Sequence, residues 1–96
     1  MAIESFVSHI YHILNKSQLM YGPPQDNLAL IAKRWSLTLG QDITPQQVAL
    51  CMMDVKLARL TRHPGHYDSI TDVVGYAACL DEINKYQEEE RHETRS

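Results

Sequence analysis

Four charged residues set into otherwise apolar stretches could do chemistry in this chain. They are Lys56 and Arg59 in Lys56-Leu57-Ala58-Arg59, and Asp68 and Asp72 in Asp68-Ser69-Ile70-Thr71-Asp72-Val73-Val74-Gly75-Tyr76. On helices, three- and four-residue spacings put each pair on one face. Lys offers a compact charge and Arg a planar fork of donors, together an anion site suited to phosphate oxygens. The two carboxylates could instead hold one magnesium through water. A third arrangement is mutual neutralisation of the two pairs across a helical hairpin, because buried charges are usually paired. The first and third are compatible, since an aspartate that orients a cation before a ligand arrives preorganises the site.

Other polar residues extend this set. Arg62, His63 and His66 lie beside the hairpin and can form a positive rim. His63-Pro64-Gly65-His66 carries two imidazoles but no nearby cysteine, so a solvated turn is expected rather than structural zinc. Tyr21 precedes Gly22-Pro23-Pro24, a rigid loop, and with Asn27 and Trp35 could supply stacking on and amide recognition of a base, Tyr21 being the better pocket candidate. Trp35, at helical spacing, is expected in the core, and His9 and His12 on a solvated face. Cys51 and Cys79 sit in apolar patterns without a neighbouring base or CxxC spacing, which predicts buried free thiols rather than nucleophiles or a disulfide.

Four helices must position these groups. Phe6, Val7, Ile10, Ile13 and Leu14 predict a helix over residues 3–16, ended before the Gly-Pro-Pro loop. Leu28, Ile31, Ala32, Trp35 and Leu39 predict a second over 26–39, closed by Gly40. Thr44-Pro45-Gln46-Gln47 is a capping box with proline at the first helical position, opening a third helix that runs to about residue 60. That helix is apolar nearly all round and is expected to be the most buried. Asp68 is the expected cap of a fourth helix over about 69–86, whose Gly75, Ala77 and Ala78 form a small patch for close helix approach. The expectation is an all-α, compact four-helix bundle with a central antiparallel hairpin, one domain over 1–87, and a charged, frayed tail over 88–96.

The 44% apolar content is globular, and no apolar run approaches the ~20 residues of a membrane span. No secretory signal is expected, because the apolar N-terminal residues lack a basic lead and are interrupted by Ser8, His9 and His12. The cytoplasm is therefore the expected compartment. A net charge of −3 argues against nucleic acid, whose binding needs many Lys and Arg contacts. Apolar third-helix residues and the patch at Gly75 predict a homo-oligomer.

Two resemblances add to these readings. The series Tyr21-Gly22-x-Pro24-x-x-Asn27, Ile31-Ala32-x-x-Trp35, Leu39-Gly40, Ile43-Thr44-Pro45, Lys56-x-x-Arg59 and Asp68-x-x-x-Asp72-x-x-Gly75-Tyr76 resembles a family of small, largely uncharacterised all-α proteins of tailed phages and prophages. It spans about residues 10–83. Secondly, Ser69-Ile70-Thr71-Asp72-Val73-Val74-Gly75-Tyr76 is similar to half of the carboxylate cage of MazG-like all-α nucleoside triphosphate pyrophosphohydrolases, with Asp72 at the aspartate, Tyr76 at the aromatic and Ser69 in place of a glutamate. Lys56 and Arg59 would fall where that class has its ExxE pair, replacing two magnesium ligands by two cations.

These resemblances imply a phage-type, non-catalytic protein that binds a nucleotide-like anionic small molecule through Lys56, Arg59, Arg62, His66, Asp68, Asp72, Tyr76, Tyr21 and Asn27. Sequestration of a host defence signal in the infected cell's cytoplasm would follow, with no cofactor required. The first alternative is a divergent pyrophosphohydrolase with magnesium on Asp68 and Asp72. The second is an adaptor that binds a host protein through apolar helix faces.

Overall fold

The computed structural model describes residues 2–95; Met1 and Ser96, the ends of the expected domain and tail, lie outside it. It contains four helices, α1 (Ala2–Tyr21), α2 (Pro24–Leu39), α3 (Pro45–Arg62) and α4 (Tyr67–Arg95), and no strand among the described residues. The all-α expectation holds, and α3 and α4 form the most closely packed pair. No helix among the described residues is long and apolar enough to cross a membrane.

Local chemistry explains the boundaries. At α3 the capping box is complete: the Gln47 amide donates to Thr44 Oγ1 at 3.1 Å, and the Thr44 amide donates to Gln47 Oε1 at 2.9 Å. Gly40 ends α2 in the left-handed region at φ 69°, its N–H donating to the Ser36 carbonyl. Ser36 also pins the following loop, its hydroxyl oxygen accepting from the Ile43 amide at 2.8 Å.

Four boundaries differ from expectation. Helix α1 continues through Tyr21, because nothing in Ser17-Gln18-Leu19-Met20-Tyr21 breaks a helix before Gly22, which takes φ 81°. Helix α2 begins at Pro24, two residues early, since a first-turn proline has no amide to leave unpaired. Asp68 does not cap α4. The helix starts at Tyr67, and the His66 ring takes the cap role: its Nδ1 accepts from the Ser69 amide at 3.3 Å and lies 2.7 Å from Ser69 Oγ. Asp68 sits in the first turn, where a carboxylate still favours the positive helix end. The segment expected to fray continues as the last turns of α4.

The core is small. Leu28, Ala32, Val48, Ala49 and Ile83 are buried together, with Ile31, Trp35, Ile43, Met52, Cys79 and Leu80 packed around them. Gln46 ties the start of α3 to α4, donating to Asn84 Oδ1 at 3.1 Å and Gln87 Oε1 at 2.7 Å. Only the inner stripe of α3 is buried, correcting the expectation of a helix enclosed all round: Leu50, Val55 and Leu57 are 49%, 44% and 46% exposed. The cysteine expectation changes too, since Cys51 is exposed and Cys79 half-buried. Both thiols are free.

Helix α1 is held chiefly by α4. Ile10 is buried, Phe6 and His9 pack on the Tyr67 ring with centroids 6.1 and 5.4 Å apart, and Leu14 covers Gly75. Gly75 is buried, yet a Cβ there would meet Leu14 Cδ2 at 3.8 Å, an ordinary contact. The small patch is therefore not a backbone-to-backbone approach. The radius of gyration is 15.0 Å, above the roughly 12.5 Å of a tightly packed domain this long. The bundle is open on its α1 side.

Candidate functional site

The gap beneath α1 is a groove of 820 Å³ between α1, α2 and α4, with Met52 of α3 at its base. Its apolar lining includes Ile13, Leu14, Ile31, Trp35 and Met52. Tyr21 and Asn27 reach it from the α1–α2 junction, and Asp72, Tyr76 and Cys79 from one face of α4. Asp81 and Glu82 also line it, and no Lys or Arg among the described residues does. The surface is thus aromatic and apolar with an acidic side, suited to a flat ring whose N–H groups can donate to carboxylates.

Lys56 meets this groove at one point. Its Nζ lies 3.1 Å from Asp72 Oδ2, and the two side chains are 14% and 36% exposed. The hairpin brings them together because α3 and α4 run antiparallel, so the turn after Met52 on α3 faces the turn before Tyr76 on α4. Of the residues expected to form the site, Tyr21, Asn27, Asp72 and Tyr76 share the groove, and Lys56 touches it through Asp72. Arg59, Arg62, His66 and Asp68 are exposed and do not line it; they sit toward the α3–α4 turn.

Two groove residues have perturbed protonation. Burial, then the Asp72 and Cys79 charges, raises the Tyr76 phenol above its ordinary value. Burial and Glu82 likewise raise the Cys79 thiol. Both are neutral at physiological pH: Tyr76 is an O–H donor, and Cys79 is a weak donor without thiolate character. The groove can bind and orient, but it holds no activated nucleophile.

The same atoms bear on the magnesium alternative. No group of three or more His, Cys, Asp or Glu side chains among the described residues could hold a metal ion. Asp72 already accepts from Lys56, and Ser69, at the position of the missing glutamate, is 1% exposed and bonded to His66. A hard divalent cation needs more oxygens than these residues offer, so they do not fit one.

The family model described as Domain of unknown function (DUF6378) matches residues 8–84, most of the chain. The chain belongs to the DUF6378 family. Among curated proteins, this DUF6378 chain is 34% identical over 73 residues to the Gene 55 protein of Mycobacterium phage L5, covering 75% of the chain and 46% of that protein. It is 40% identical over 63 residues to the Gene 55 protein of Mycobacterium phage D29, covering 66% and 42%. These matches support an uncharacterised phage protein family, and the chain spans less than half the length of these relatives. No solved structure matches.

Sequence reasoning overlooked Met52, Cys79, Asp81 and Glu82 as groove residues. A signal was present on α4, where Asp72, Tyr76, Cys79 and Glu82 recur every three or four positions.

Proposed function

We propose that this DUF6378 chain is a phage-type, non-catalytic binding module for a nucleotide-like anionic small molecule. The observation that carries the reading is the groove itself, an aromatic and amide-lined cleft whose edge ends at the half-buried Lys56–Asp72 pair. A ring inserts against Tyr21, Asn27 and Tyr76, and its amino groups donate to Asp72. The anionic part stays outside the acidic cleft and extends along α3 toward Arg59 and Arg62, with His66 at the far rim. Sequestration of a host defence signal is the role that suits a phage protein with a binding cleft and no metal cage. A MazG-like pyrophosphohydrolase is the weaker reading, because its reaction needs the metal that these residues do not fit.

A second reading has its own observation. Leu30, Leu37 and Leu39 of α2 are 62%, 69% and 62% exposed, the kind of surface an adaptor would offer a host protein.

A thermal-shift screen against nucleoside triphosphates, cyclic dinucleotides and ADP-ribose derivatives, with and without magnesium, separates these readings. A ligand at about a hundred times its Kd adds about 2.7 kcal/mol. An intact ligand recovered by mass spectrometry, and a shift lost in Arg59→Ala without loss of basal stability, support sequestration. Cleaved ligand revives the hydrolase, and no shift with any compound leaves the adaptor.

A further inference from the structure

The outer face of α3, pointing away from α2 and α4, has no partner among the described residues. Positions 50, 54, 58 and 62 follow one another at four-residue steps and form a single row: Leu50, Asp54, Ala58 and Arg62. Leu50 and Val55 keep nearly half their surface exposed, and Ala58, beside Val55, is exposed and small. Thr61, on the same face, turns its hydroxyl back to the Leu57 carbonyl at 3.0 Å and so brings no unmet donor to the surface. Asp54 and Arg62 are both exposed, and neither makes an ion pair with another described residue.

We infer that this face pairs with a second copy of itself, antiparallel, about a two-fold axis at Ala58. The charge pattern selects that occupant. Asp54 and Arg62 are equidistant from Ala58 along the row, so a two-fold there sets Asp54 of one copy against Arg62 of the other, and symmetry repeats the pair. Ala58 lets the helices approach, and Val55 and the Thr61 methyl, three residues to either side of it, close over the axis. A parallel pairing would oppose like charges, as would a two-fold at Asp54. Four turns of one helix offer less than the roughly 800 Å² per partner of a standard interface, so the dimer is weak and concentration-dependent. The groove lies on the other side of the hairpin, and of the proposed ligand contacts only Arg62 lies on this face, so the test is run without ligand.

Sedimentation velocity over a dilution series tests it. The expected result is a monomer–dimer equilibrium whose Kd rises on the order of tenfold or more in Asp54→Arg and in Arg62→Asp, where like charges meet across the axis, and returns when the two reversals are combined. Circular dichroism establishes that each variant is folded. As a second measurement, Ala58→Cys in a Cys51→Ser background is expected to yield a disulfide-linked dimer on mild oxidation. A monomer at every concentration overturns the proposal, and so does a dimer indifferent to both reversals, a combined variant that stays monomeric while folded, or no cross-link at position 58.

Discussion

The half-buried Lys56–Asp72 pair shows how one contact can serve structure and a site at once. Lys56 is 14% exposed, so removing Asp72 would leave a largely desolvated ammonium without its counter-charge. Because Asp72 is more open to water, the penalty is smaller than for a fully buried pair. Asp72→Asn and Lys56→Ala are each expected to lower stability by about 1–2 kcal/mol in urea denaturation; no loss from either would mean that the pair is a surface contact only. Tyr76 and Cys79 make a pH prediction. Both acids have folded-state values raised above the ordinary 10.0 and 9.0, so the unfolded chain releases those protons first. Stability from keeping them neutral is complete below pH 9.0 and falls as pH rises beyond it. Cys79→Ala is expected to shallow that decline in melts taken across the alkaline range. The pairing of Lys56 with Asp72 was one of two outcomes the sequence allowed, because spacing defines helix faces but not the rotation of one helix against another.

At the scale of elements, the strongest local signals held. Thr44-Pro45-Gln46-Gln47 forms the expected capping box, and Thr44→Ala should cost about 1 kcal/mol in thermal or chemical unfolding. Where signals competed, the structure chose. Asp68 and His66 are both able to cap α4; the imidazole, one residue before the helix, reaches the Ser69 amide, and Asp68 is already inside the first turn. Gly75 looked like a site of close helix approach, but Leu14 leaves room for a methyl group. Gly75→Ala is therefore expected to stabilise the protein by about 0.5–1 kcal/mol through helix propensity. A destabilised alanine variant in the same melts would show that Leu14 cannot accommodate the methyl.

Across the whole molecule, a tight α3–α4 hairpin with α2 against it carries a helix, α1, that is attached mainly through Ile10, Leu14 and the Tyr67 ring. This division sets the expected dynamics. In native-state hydrogen exchange, α1 amides should exchange at lower opening free energy than those of α3 and central α4, where the core cluster lies. Uniform protection across all four helices would instead mean one cooperative unit. A ligand that fills the groove should slow exchange in α1 specifically, because the groove's contents bridge α1 to α2 and α4.

The sequence by itself determined the helical class, the number of helices, the stops at Gly22 and Gly40, and the start of α3, since periodicity, glycine conformation and capping act over a few residues. It also placed Asp72 and Tyr76 on one face of one helix. Only the tertiary structure decided that Tyr21 and Asn27 meet that face while Arg59, Arg62, His66 and Asp68 do not, and that Cys51 and the outer stripe of α3 are exposed. Those outcomes depend on how helices rotate and how closely they approach, which is settled by the sum of many small packing contacts between residues far apart in the chain.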